Sequence, residues 1–119
     1  MNLKDVMQYQ RFVVIGDTRS PEKTACTIKR KMRDAGYTVY PVGKELPSVN
    51  HIACPIDIID LCIHPAKGLA LLQENRKPFR AVVIQPGAES PELIAWLEEQ
   101  GISYVRGCLL EGLAAYAKK

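Results

Sequence analysis

The residues of this chain best suited to chemistry lie in one stretch, Arg11-Phe12-Val13-Val14-Ile15-Gly16-Asp17-Thr18-Arg19-Ser20-Pro21-Glu22-Lys23, and the chemistry is anion binding. Phe12 to Ile15 reads as a buried parallel strand that ends in Gly16. Ser20 then reads as a helix N-cap and Pro21 as the first helical residue, where a missing N–H costs nothing. The unpaired N–H groups and the dipole of a helix start attract anions. Thr18 and Ser20 add hydroxyls, and Lys23 adds a charge one turn in. The expected guest is a phosphate.

The loop does not fit the common phosphate binders. A dinucleotide site wants Gly-x-Gly-x-x-Gly and an acid closing the second strand. Gly16 is the only glycine between Arg11 and Ala35, and the second strand ends Tyr40-Pro41-Val42-Gly43-Lys44 with no acid before Glu45. The Gly-x4-Gly-Lys-Ser/Thr of a P-loop is also absent.

The elements that must position this loop alternate in type. After a short lead-in with Leu3, Val6 and Met7, strands are predicted over 12–15, 37–42, 56–63, 80–85 and 102–106. A helix is predicted from Pro21 to Ala35, with Ala25, Ile28, Met32 and Ala35 as its apolar stripe and Gly36 as its stop. Others are predicted over 66–75, from the Ser90-Pro91-Glu92 start to Gly101, and over 109–117, with Lys118 and Lys119 at the dipole-favoured end. The pattern is one α/β domain over 1–119, a doubly wound parallel sheet of about five strands with helices on both faces. Such sheets bind ligands beyond the carboxyl ends of their strands. Those positions hold Gly16 to Ser20, Pro41 to Lys44, His64-Pro65, Gln85-Pro86-Gly87 and Gly107-Cys108.

Each of these has a plainer reading. Ser20-Pro21 caps any helix, Pro41 ends a strand, and Lys23 and Lys44 are solvated cations. His64 is a turn or pocket-lining residue, Gln85-Pro86-Gly87 is a tight turn, and Cys108 packs inertly. Asp57 and Asp60 are expected to be hydrogen-bonded at strand ends or near loops, because buried carboxylates need partners. Lys29, Arg30, Lys31 and Arg33 read as a wet helix face, and Trp96 as packed on the sheet or as a homodimer contact.

Composition narrows the classes. Sixteen basic against thirteen acidic side chains leave a net charge of +3, too small to argue for nucleic acid. No apolar run approaches a membrane span, and no basic-then-apolar leader opens at Met1, so a cytoplasmic location is expected. The four cysteines form no Cys-x-x-Cys pair and no zinc pattern, and reduced thiols are expected.

The chain resembles the small single-domain CoA-binding proteins, which stand alone as the Rossmann-like nucleotide-binding domain of succinyl-CoA synthetase α subunits. The matching segments are Val14 to Lys23, Gly36-Tyr37-Thr38-Val39-Tyr40-Pro41-Val42, Ile56-Asp57-Ile58-Ile59-Asp60, Gln85-Pro86-Gly87-Ala88 and Cys108. They cover almost the whole chain in order. The family's Asn-Pro after Pro-Val is Gly43-Lys44 here. The resemblance implies CoA or an acyl-CoA as ligand. Its diphosphate is expected at the start of the first long helix, near Gly16, Asp17, Thr18, Arg19, Ser20 and Lys23. Lys44 is the candidate partner of the 3′-phosphate, and Pro41 and Val42 are the candidate adenine wall. His64, Pro65, Gln85, Pro86 and Gly87 are expected to border the ligand.

Three functions compete on this reading. A non-catalytic CoA-binding module fits a chain with no visible nucleophile, base and orienting group. An NAD(H)-binding regulatory domain needs glycines and an acid that the loop lacks. A small enzyme acting on an acyl-CoA needs His64 or Cys108 in the chemistry.

Overall fold

The computed structural model describes residues 1–117. Lys118 and Lys119, expected at the end of the last helix, lie outside the described residues. The described elements are α1 (Leu3–Val6), β1 (Arg11–Gly16), α2 (Thr24–Asp34), β2 (Thr38–Gly43), β3 (Ile58–Cys62), α3 (Pro65–Glu74), β4 (Ala81–Ile84), α4 (Pro91–Glu99), β5 (Tyr104–Arg106) and α5 (Leu109–Tyr116). A 3₁₀ turn, Val49–His51, interrupts the long connection from β2 to β3.

The five strands are all parallel, in the order β2-β1-β3-β4-β5. The order reverses between β1 and β3, where a doubly wound sheet opens its crevice. The core has two layers because the central strands bury both faces. On one face Val13, Ile15, Ile59, Leu61, Val82 and Ile84 meet Leu72 of α3 and Leu93 and Leu97 of α4. On the other, Phe12, Val14, Ile58 and Val83 meet Val6, Ala25, Ile28, Met32 and Leu109. Trp96 packs, partly buried, against the first cluster.

Local chemistry sets the element ends. Asn2 and Asp5 form a reciprocal capping box at α1. Ser90 Oγ accepts the Leu93 N–H at 3.1 Å, with Pro91 at the start of α4, as the sequence predicts. β3 is shorter than predicted. Asp57 leaves the ladder and turns its carboxylate back to accept the N–H groups of Gln10 and Arg11.

Two expectations fail. The first long helix does not begin at Ser20-Pro21: α2 starts at Thr24, with Lys23 as an N-cap that offers no side-chain bond. Ser20 instead closes a turn, its carbonyl accepting the Lys23 N–H at 3.0 Å. Asp60 is not hydrogen-bonded near a loop. It is fully buried in the middle of the sheet, in register with Val14 and Val83, and neither carboxyl oxygen has a hydrogen-bond partner among the described residues.

Candidate functional site

Glycines set the geometry where the strands end. Gly16 sits between Gly43 on β2 and Cys62 on β3. A Cβ on Gly16 would stand 2.3 Å from the Cys62 carbonyl oxygen and 3.0 Å from the Ala25 Cβ. Only a glycine lets β1 end beside β3 with α2 drawn over it. Gly43 has φ +122°, and a Cβ there would meet the Gly16 carbonyl at 2.8 Å. The chain can therefore turn sharply out of β2 directly against the first loop.

These glycines floor a cleft of about 450 Å³. Its walls carry Asp17, Lys44 and Lys67, with Pro47, Ile63 and Leu71 as the apolar side. It opens at the β1/β3 reversal, the place the topology predicts. A second hollow, about 470 Å³, adjoins it between α3 and α4 and is lined by His64, Pro65 and Ser90 among others. A larger hollow of about 550 Å³ lies at the opposite, amino-terminal edge of the sheet, beside Asp57, Pro78 and Arg80. Strand topology favours the first cleft over that one despite its smaller volume.

The β1–α2 loop is ordered by its own acid. Asp17 accepts the N–H groups of Arg19 and Ser20, at 3.2 and 3.1 Å, and the Ser20 hydroxyl at 2.8 Å. The Ser20 hydroxyl bond is the main cause holding the Asp17 carboxyl below its ordinary value. Arg19 and Lys23 are exposed, and Thr18 is fully buried. The α2 N-terminus differs from the other helix starts among the described residues. Asn2, His64 and Ser90 cap α1, α3 and α4, and Gln85 Oε1 accepts the Leu109 N–H of α5 at 2.9 Å, but no side chain caps α2.

The remaining expected residues are placed unequally. His64 Nδ1 accepts the Ala66 N–H at 3.2 Å, with Pro65 next as the first residue of α3. Val42 is wholly buried in the core, so it offers no wall to a ligand; Pro41 is partly exposed on β2. Gln85 is buried and faces α5 rather than the cleft. Pro86 and Gly87 form an exposed turn, in which the Gly87 N–H meets the Glu89 carboxylate at 3.0 Å. The apolar wall consists of Pro47, Ile63 and Leu71, which sequence reasoning missed together with Lys67. Lys67 was detectable as a lysine in the first turn after His64-Pro65. Pro47 lies in an irregular segment with no period to place it. Glu45 was also missed: its Oε2 accepts both the Thr18 hydroxyl at 2.5 Å and Lys29 Nζ at 2.8 Å.

Among the described residues no group of His, Cys, Asp and Glu could hold a metal ion. The Cys62 thiol is pushed up to about 12, first by burial and then by Asp60 and Cys108, which keeps it protonated at neutral pH. The geometry provides a polar-edged, partly cationic cleft beside an uncapped helix terminus.

A family profile of CoA binding domains matches residues 10–113. The chain belongs to the CoA binding domain family. It is similar to the uncharacterized protein YneT of Bacillus subtilis (strain 168), 25% identical over 130 residues, covering 98% of this chain and 94% of that one. Solved structures share the fold. A conserved hypothetical protein from Pyrococcus furiosus is 27% identical, with a TM-score of 0.79 over 87% of this chain and 98% of its own. A hypothetical protein from Pyrococcus horikoshii OT3 has a TM-score of 0.87 at 21% identity, over 96% of this chain and 89% of its own. The Rossmann-like α/β class expected for this family is the fold observed. Among the described residues no helix is long and apolar enough to cross a membrane.

Proposed function

We propose that this chain binds CoA or an acyl-CoA at the carboxyl edge of its sheet and acts as a binding module rather than a catalyst. The observation that carries the placement is the uncapped start of α2 at the β1/β3 reversal. Among the described residues its first-turn N–H groups receive no side-chain acceptor, and an anionic diphosphate supplies one. Lys23 stands at that terminus, and Lys44 and Lys67 both line the adjoining cleft. Pro47, Ile63 and Leu71 offer the ligand an apolar wall. Membership of the family supports CoA as the ligand class.

The residues near the cleft bind and orient better than they react. His64 spends Nδ1 on a backbone N–H, and the Cys62 thiol is held protonated. Among the described residues that line the cleft, no nucleophile stands beside a base. The test is titration calorimetry with CoA, acetyl-CoA, NAD and NADH on the native chain and on Lys23→Ala and Lys44→Ala. Saturable binding of CoA is expected, with each substitution weakening it about three- to tenfold, the value of one screened phosphate contact. Binding of NADH in preference to CoA would replace this reading with a dinucleotide-binding one.

A further inference from the structure

We infer that Glu45 masks an anion site built from Thr18 and Lys29, and that a phosphate ester group of the ligand takes the place of its carboxylate. The Thr18 hydroxyl belongs to a fully buried residue and donates at 2.5 Å to Glu45 Oε2. Lys29 Nζ, on the second turn of α2, donates to the same oxygen at 2.8 Å. The Lys29 side chain is only 17% exposed, whereas that of Glu45 is 32% exposed. Arg33, one turn further along α2, donates from Nη2 to the Val39 carbonyl at 2.7 Å and adds only its positive field at the same carboxylate. An ammonium so enclosed requires an anion, and the one it has comes from an exposed turn after β2.

Two donors converging on a single oxygen suit a phosphate oxygen as well as a carboxylate oxygen. A partly exposed ion pair contributes little to folding, so exchanging its anion costs little. Two members of the set follow cleft residues directly in the chain. Asp17 and Lys44 line the cleft, and the next residues in the chain are Thr18 and Glu45. A ligand whose diphosphate lies at the α2 start places a second phosphate ester within reach of this set. That last step rests on the proposed function; the anion site itself does not.

The experiment is calorimetric titration of the native chain, Glu45→Gln and Glu45→Ala with adenosine 3′,5′-bisphosphate and with adenosine 5′-phosphate. Glu45→Gln keeps an acceptor for Thr18 and Lys29 while removing the charge, so it guards against loss of the fold. Both variants are expected to bind the bisphosphate about three- to fivefold tighter than the native chain, with the monophosphate unchanged. Adding Lys29→Met is expected to abolish the gain. Folded variants that bind the bisphosphate no tighter, or more weakly, would overturn the inference and leave Glu45 as a pin between two loops. CoA titrated into the native chain separates the two claims. Binding there with no effect of Glu45 sinks the masked site alone. A gain in the variants without native CoA binding sinks the proposed ligand alone.

Discussion

Asp60 sits in the middle of β3 with both oxygens buried and without a partner among the described residues, and burial holds its carboxyl well above the usual 3.8. The unfolded chain releases this proton first as pH rises. Stability therefore falls above the unfolded value, by up to about 1.4 kcal/mol per pH unit, until the native group itself ionises. Glu45 has the opposite sign. Lys29 and then Thr18 lower its carboxyl, so its contribution is present above the usual 4.5 and is lost as pH falls through its folded value. Comparing Asp60→Asn with the native chain cancels the Glu45 effect. Urea unfolding across pH 4 to 8 is expected to show the variant gaining stability relative to the native chain as pH rises; a constant difference would refute the buried-acid account. Beside Asp60, the Cys62 thiol at about 12 is expected to resist an aromatic disulfide reagent at pH 8, while the exposed Cys54 reacts. Peptide mapping of the labelled protein decides this, and native labelling of Cys62 as fast as Cys54 would contradict it. The sequence could not foretell Asp60, because an acid in an apolar strand normally signals a bend or a partner.

The tripeptide Ser-Pro-Glu occurs twice and does two different things. At Ser90 it starts α4, because Leu93 follows at once and is buried, so the apolar stripe begins with the cap. At Ser20 the next residue is the exposed Lys23, and the first buried residue of α2 is Ala25. Asp17 also captures the Ser20 hydroxyl and N–H, so that hydroxyl is a donor rather than a cap. Ser90→Ala is expected to cost about 1 kcal/mol. Ser20→Ala is expected to stay within about 0.5 kcal/mol. Paired denaturant midpoints measure both, and equal losses would restore Ser20 as a cap. The apolar stripe of α2 was readable because period 3.6 is a property of the sequence alone. The wet face assigned to Lys29 was not, because its partner Glu45 arrives from a different loop.

The strand order places the reading of the whole molecule. Alternating strands and helices made the parallel sheet legible, and the sheet directed attention to the strand ends. The residues at those ends divide. Gly16, Asp17 and Lys44 meet in one cleft, His64 and Pro65 line its neighbour, and Val42 and Gln85 turn inward. Position after a strand was readable; side-chain direction was not, because residues i and i+1 leave a strand on opposite faces. The measurement that tests the central claim most directly is an amide chemical-shift map of the native chain during titration with CoA. The account predicts saturable shifts clustered at Gly16 to Thr24, Gly43 to Glu45 and Ile63 to Lys67. An absence of shifts, or shifts confined to the hollow around Asp57 and Arg80, would contradict it.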